Sequence, residues 1–167
     1  MRILRHCRQF LTIIALAGAI APLTARAEDI GRSRTLFACS AGVDRVTVTK
    51  VGKRLTYTFK HQGQTELTIT GDAQSGAVFY RRTTFPHAEH QQLRFRRGAF
   101  SYVIFNRWAA PDYDQRGAED FSGLLVLRGR HLLRRIDCKR GGEFIDGPDF
   151  FDWDSLPSDP EDLIPGD

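Results

Sequence analysis

His87, Glu89 and His90 form the densest group of possible metal ligands in this chain of 167 residues. Pro86 directly precedes the group and indicates a loop, and the sequence shows no further ligand that would complete a tetrahedral site around it. We therefore interpret the stretch as a solvated loop that carries a histidine pair. The sequence predicts no metal site and no cofactor.

Carboxylates and serines offer two other kinds of chemistry. Paired carboxylates could support glycoside hydrolysis, and four of them lie close together in one segment: Asp112, Asp114, Glu119 and Asp120. That segment contains a single aromatic residue for a sugar platform, so a solvated loop is the simpler interpretation. Ser40 and Ser122 lack a nucleophile-elbow sequence, and no phosphate-binding glycine loop occurs. We expect a binding protein, with a hydrolase as the minor alternative.

Residues 1–27 have the features of an export signal. Three arginines precede an uncharged apolar run over residues 10–20, and Ala25 and Ala27 supply the small residues that a signal peptidase requires. The run is too short for a membrane span, although an uncleaved N-terminal anchor is an alternative. We predict a mature protein that begins near Glu28, is located in the periplasm or secreted, and does not span the membrane.

Removal of this segment leaves Cys39 and Cys138 as the two cysteines of the mature chain. In an oxidising compartment such a pair is expected to form a disulfide. A redox-active pair is the alternative, but those cysteines usually lie close together, as in C-x-x-C. The sequence therefore predicts one structural disulfide.

The rest of the mature chain has the period-two pattern of β-strands. Val46 and Val48 alternate with polar residues, and after a turn at Gly52 the apolar residues Tyr57 and Phe59 do the same. Short strands with turns between them continue to residue 140. We predict an all-β domain over residues 28–140, a small antiparallel barrel or sandwich of about eight strands whose first and last strands are joined by the disulfide.

Charge divides the mature chain into two parts. Residues 28–140 contain 20 Lys+Arg and 11 Asp+Glu, a net charge of +9, whereas residues 141–167 contain 9 Asp+Glu and no Lys or Arg. Prolines in the acidic tail favour a disordered or loosely docked segment. The alternative is a recognition segment whose aromatic residues insert into a partner or into the barrel itself: Phe150, Phe151 and Trp153.

Several arginines fall on or beside predicted strands and could share one basic face: Arg81, Arg82, Arg94, Arg96 and Arg97. The plain interpretation is a solvated surface that discourages edge-to-edge pairing of sheets. The functional alternative is a surface for an anionic lipopolysaccharide, a polysaccharide or an acidic protein. Nucleic acid is not an expected partner, because an exported protein rarely meets it.

The stretch Ser75-Gly76-Ala77-Val78-Phe79 resembles the Ser-Gly-x-x-Tyr loop of the bacterial membrane-bound or periplasmic inhibitors of c-type lysozyme. The export signal, the small β domain and the position of its cysteines are also similar to that family. The resemblance implies that Ser75 enters a lysozyme cleft and contacts its catalytic carboxylates, with Gly76 and Phe79 or Tyr80 supporting the loop. Phe79 stands where the family has tyrosine, and Tyr80 lies on the opposite strand face.

Two functions follow as hypotheses. The first is an exported periplasmic binding protein that inhibits a lysozyme-like hydrolase of the cell wall. The second is an envelope-associated structural or interaction module that uses a basic face to bind an anionic surface or partner.

Overall fold

The computed structural model describes residues 31–111, 119–145 and 151–164. The predicted export signal, Asp112, Asp114 and Phe150 lie outside the described residues, as do the side chains of Glu119 and Asp120. Within the described part of the chain, no helix is long and apolar enough to cross a membrane.

Antiparallel strands account for most of the described chain, and the fold is all-β as the sequence predicts. Their bounds are β1 Arg34–Ala41, β2 Asp44–Val51, β3 Arg54–His61, β4 Gln64–Gly71, β5 Val78–Phe85, β6 Ala88–Arg97, β7 Phe100–Ala109, β8 Glu119–Arg128, β9 His131–Asp137 and β10 Arg140–Phe144. A short 3₁₀ turn, Trp153–Ser155, follows.

The ten strands form two five-stranded sheets. Sheet 1 has the order β10-β1-β2-β3-β4, and sheet 2 has the order β5-β6-β7-β8-β9. Within each sheet, consecutive strands are joined by short hairpins, apart from the longer β7–β8 connection. After β9 the chain leaves sheet 2, and β10 pairs with β1 at the edge of sheet 1. The N-terminal and C-terminal ends of the domain therefore meet in sheet 1.

The main core lies between the two sheets. Alternation sends every second side chain inward, and Tyr57 of sheet 1 packs against Phe95 and Tyr102 of sheet 2 with ring centroids 5.6 Å apart in both cases. Phe37, Tyr57 and Phe95 are fully buried. Burial in this core raises the pKa of Tyr57 far above its ordinary value, with a further contribution from Tyr102.

Two details of the predicted strand pattern need correction. Glu89 and His90 lie within β6 rather than in a loop, because the turn between β5 and β6 consists only of Pro86 and His87. The β domain also extends beyond residue 140, since β10 continues sheet 1 to Phe144. Its Arg-Gly-Gly-Glu-Phe sequence lacks the alternation of larger apolar residues that marks the other strands.

The disulfide joins Cys39 of β1 to Cys138, in the short connection that leads from β9 into β10, with the two Cα atoms 5.4 Å apart. The bridge therefore connects the first strand to the start of the last strand, and it lies where the chain passes from sheet 2 back to sheet 1. The predicted fold class and disulfide are both confirmed.

Removing either cysteine should destabilise the protein to a similar extent, because each substitution breaks the same bond. The bridge closes a loop with a sequence separation of 99 residues, for which the chain-entropy model gives about 4–5 kcal/mol of unfolding free energy. We expect Cys39→Ala, Cys138→Ala and the double variant to show nearly equal losses in urea unfolding. Additive losses in the double variant would contradict a single shared bond.

Candidate functional site

A cleft of about 910 Å³ opens on the outer face of sheet 1, at the end where its strands turn. Its lining residues come from β1, β2, β3 and β10 and the turns between them: Ala38, Ser40, Gly42, Val43, Asp44, Arg45, Lys60, Gly63, Lys139, Arg140 and Gly141. Four of these lining residues are cations, so the cleft offers a concentrated positive potential.

Strand register brings three of these cations into one row across sheet 1. Arg45 pairs with Lys60 across β2 and β3. Ser40 of β1 pairs with Arg45 on one side and with Arg140 of β10 on the other. Directly paired residues point to the same face of a sheet, so Arg140, Ser40, Arg45 and Lys60 lie side by side on the outer face. We call this row of three cations and Ser40 the cation row.

Glycines and backbone hydrogen bonds hold the cleft in shape. Gly141 has a φ of +70°, and a Cβ atom there would overlap the Ala38 carbonyl, so only glycine lets β10 approach β1 this closely. The Lys139 N–H donates to the Ser40 carbonyl at 2.8 Å, which brings Lys139 to the rim. On the other side, the Gln62 N–H donates to the Val43 carbonyl and joins the two neighbouring hairpin turns.

The cleft cations are not neutralised by carboxylates of the described chain. No ion pair joins Arg45, Lys60, Lys139 or Arg140 to any described residue. Asp44 is the acidic residue among those lining the cleft, and its carboxylate already contacts His61 Nδ1 and the Arg134 guanidinium, each at 2.7 Å. The charge of the cation row is thus available to an external anion.

Ser75 lies in an exposed turn between β4 and β5, where the chain passes from sheet 1 to sheet 2. Its hydroxyl donates to the Asp72 carbonyl at 2.7 Å and accepts from the N–H groups of Asp72 and Ala77 at 3.1 and 3.2 Å. A serine hydroxyl has one proton to donate. In this arrangement that proton is already engaged within the turn, which also contains Gly76.

Phe79 and Tyr80 lie on opposite faces of β5, as their neighbouring positions predict. Phe79 is partly exposed on the outer face, with the guanidinium carbons of Arg94 and Arg96 lying 5.1 and 5.8 Å from its ring centroid. Tyr80 is buried and stacks on Trp153 of the tail, with centroids 5.3 Å apart. These two side chains therefore support the packing of the sheet and the tail.

The C-terminal segment, predicted as disordered or loosely docked, packs closely against the domain over residues 151–164. Trp153 is buried against Tyr80 and Phe144, with Phe151 at its edge. The Tyr80 N–H donates to the Pro157 carbonyl, and the Asp159 N–H donates to the Tyr80 carbonyl, which fixes the tail along the edge of β5. Phe151 and Trp153 thus insert into the protein itself.

Beyond Pro157 the tail crosses the outer face of sheet 2. Asp159, fully buried, accepts from the Arg94 guanidinium at 2.7 Å and from the Gln92 amide at 2.9 Å. Glu161 contacts the other side of Arg94 at 2.8 Å, and the Leu163 N–H donates to Gln92. Two carboxylates of the tail therefore bind the guanidinium of Arg94, which lies at the centre of the predicted basic face.

The five arginines of that predicted face consequently do not form one free surface. Arg81 donates to the Asp159 carbonyl and lies 3.9 Å from the Asp162 carboxylate. Arg82 pairs with Glu89 and points to the opposite face of β5 from Arg81. Arg96 and Arg97 are exposed at the end of β6. The sequence pattern missed this division because it cannot show which arginines the tail covers.

Burial raises the pKa of the Asp159 carboxyl above its ordinary value, and the Glu161 N–H, Arg94 and Gln92 lower it in part. A carboxyl whose pKa is higher in the folded than in the unfolded state binds its proton more tightly when folded. Its ionisation with rising pH therefore opposes folding. The hydrogen bonds and ion pair from Arg94 and Gln92 offset this cost of burying a carboxylate.

The other sequence candidates remain separate. Among the described residues no three ligands of a metal ion come together, and Glu89 engages Arg82 and Gln91. Ser122 packs beside Gly142, and its hydroxyl fills the space that a Cβ atom on residue 142 would need. Ser40 lies in the cleft as part of the cation row.

The cation row itself was missed at the sequence level, although one signal for it was present. Counting back from the turn at Gly52 pairs Arg45 with Lys60 on the same face of the hairpin. Arg140 joins the row only because β10 pairs with β1. These two strands are far apart in the chain, like the disulfide cysteines, whose sequence separation is 99 residues. No local pattern reports such a pairing.

Comparison with protein family models, with curated proteins and with solved structures finds no match for this chain.

Breaking the buried ion pair between Arg94 and Asp159 should destabilise the fold strongly, because it leaves one buried group without its partner. We expect Arg94→Met to cost about 3–5 kcal/mol in urea unfolding, and the double variant with Asp159→Asn to cost less than the sum of the single changes.

The matched control is Arg82→Met, which removes a half-exposed pair with Glu89 and should cost less than about 1 kcal/mol. Equal losses for Arg94→Met and Arg82→Met would show that the tail is not anchored by its buried carboxylate.

Proposed function

We propose that this protein is an exported binding protein that holds an anionic component of the cell envelope in the cleft on the outer face of sheet 1. The cation row carries the proposal. Like charges on paired neighbouring strands repel one another, and no described carboxylate relieves that repulsion at Arg45, Lys60 or Arg140. An anionic ligand lying along the row would remove the repulsion and gain from all of these charges at once.

The compartment is consistent with such a ligand. A disulfide that links the ends of the β domain is typical of proteins that fold in an oxidising environment, outside the cytoplasm. The N-terminal sequence pattern predicts export, and the periplasm is the location that we propose. Envelope polymers with carboxylate or phosphate groups are abundant partners in that setting.

Inhibition of a lysozyme stays a prediction that rests on the resemblance of the Ser75 loop. The geometry favours the anion-binding proposal over it for two reasons. The Ser75 proton is engaged by the Asp72 carbonyl and is not free for a partner's carboxylate. In addition, Asp159 and Glu161 of the acidic tail are bound to Arg94, so these two carboxylates are not free to attract a basic partner.

Removing two charges from the cation row should weaken binding to a polyanion. We expect Arg45→Gln with Lys60→Gln to raise the Kd for heparin, used as a generic polyanion, by at least about tenfold at low salt. The wild-type Kd should itself rise with ionic strength. Biolayer interferometry on immobilised heparin, with thermal unfolding as a folding check, measures both effects.

The matched control is Arg96→Gln with Arg97→Gln, which removes the same net charge from the exposed end of β6. It should change the Kd by less than about twofold. Equal weakening by the two pairs would show that overall charge, rather than the cleft, determines binding, and a wild-type protein that does not bind would also refute the proposal.

A lysozyme assay separates the inhibitor hypothesis from this proposal. We expect the protein at micromolar excess to leave c-type lysozyme activity unchanged, because the Ser75 hydroxyl already donates its proton to the Asp72 carbonyl. Inhibition that disappears in Ser75→Ala would instead support the inhibitor hypothesis.

A further inference from the structure

Two rows of threonines lie beside the cation row on the outer face of sheet 1. The first row crosses the central strands as Thr47, Thr58 and Thr68, and the second crosses them as Thr49, Thr56 and Thr70. All six side chains are half-buried or exposed on the face that points away from the core. On β2 and β3 the outer face of sheet 1 thus changes from cationic to uncharged and hydroxyl-bearing within two residues.

The rows are ordered relative to the cleft by strand register. Arg45 precedes Thr47 by two residues on β2, and Lys60 follows Thr58 by two residues on β3. The first threonine row is therefore the immediate neighbour of the cation row. Ala38 pairs with Thr47 at the end of this first row and also lines the cleft, so the cleft continues onto the threonine surface.

Sheet geometry gives these hydroxyls a regular spacing. Neighbouring strands lie about 4.8 Å apart, and the rows, two residues apart along each strand, are separated by about 6.7 Å. Threonine is branched at Cβ and has few accessible χ1 rotamers, so little side-chain freedom is lost when a ligand binds. The Oγ1 atoms of Thr56 and Thr70 lie 3.2 Å apart, which shows that neighbouring hydroxyls of the second row already orient one another.

We propose that the anionic ligand is an acidic polysaccharide that lies across the strands, with its carboxylates on the cation row and its hydroxyls on the first threonine row. The inference rests on the proposed function and specifies its ligand class. Each threonine hydroxyl can donate and accept a hydrogen bond, as can each sugar hydroxyl, while the threonine methyl groups contact the C–H faces of sugar rings. A row of uncharged hydroxyls next to cations thus matches a polymer that carries both groups.

Polyphosphate and lipid phosphate fit this face less well. Every unit of a polyphosphate chain is charged and none carries a donor group. Such a chain would follow the cation row rather than extend onto the threonines, whose hydroxyls accept as well as donate. The threonines also favour strand formation by themselves. A test must therefore separate recognition by their hydroxyls from their contribution to the sheet.

Replacing the first row by valine keeps the side-chain shape and the strand preference but removes three hydroxyls. We expect the triple variant T47V/T58V/T68V to weaken binding of polygalacturonate by about tenfold or more, since each lost hydrogen bond contributes modestly and the three act together. Binding of long-chain polyphosphate should stay within about twofold of wild type. Isothermal titration calorimetry with the protein produced from the full chain measures both ligands.

The matched control is T49V/T56V/T70V in the second row, which removes the same groups one step farther from the cations and should leave both affinities within about twofold. Thermal unfolding should show that both triple variants remain folded. Equal weakening by the two triple variants would contradict a ligand that lies beside the cation row.

The outcomes separate this inference from the proposed function. If R45Q/K60Q abolishes binding of both polymers while T47V/T58V/T68V changes neither, anion binding in the cleft stands and the polysaccharide assignment fails. If the wild-type protein binds polyphosphate but not polygalacturonate, the ligand class is also wrong. If R45Q/K60Q changes neither affinity, the proposed function itself fails.

Discussion

Sheet 2 buries apolar side chains on both of its faces, and this constraint determines how the rest of the molecule is arranged. Its inner face contributes Leu93, Phe95 and Ile104 to the core between the sheets. Its outer face carries a second apolar cluster that includes Val103, Phe105 and Leu125, all almost fully buried. A two-layer sandwich covers only one face of each sheet, so another segment must cover the outer face of sheet 2. Leu163 and Ile164 of the C-terminal tail pack against this cluster.

The charge of the tail follows from the position that it occupies. A segment that crosses the outer face of sheet 2 meets Arg94 in a nearly buried position, and an uncompensated buried guanidinium would be costly. Asp159 and Glu161 meet this requirement on the two sides of Arg94. Part of the contrast between a body of net charge +9 and a tail of net charge −9 is therefore satisfied within the protein, through the contacts of Asp159 and Glu161 with Arg94. The cleft cations of sheet 1 form no ion pair with the described tail, and Arg96 and Arg97 remain exposed on sheet 2.

The cleft on sheet 1 is assembled from both ends of the domain. Arg45 and Lys60 come from a local hairpin, whereas Lys139 and Arg140 arrive only because β10 pairs with β1. Gly141 permits the close approach of the two backbones, and the disulfide holds the chain where it enters β10. The same closure that hides one edge of β1 therefore also completes the cation row. In this protein, stability and the candidate binding surface depend on one set of contacts.

The sequence by itself determined the local features: the all-β class, the hairpins, the faces of Phe79 and Tyr80, and the pairing of the two cysteines. These follow from alternation over a few residues and from the small number of cysteines. Only the tertiary structure decided that the tail covers sheet 2, that Arg94 is taken up internally and that β10 brings Arg140 beside Ser40. Each of these depends on contacts between residues far apart in the chain, and the alternation of residues along a single strand contains no information about which distant segment will cover it.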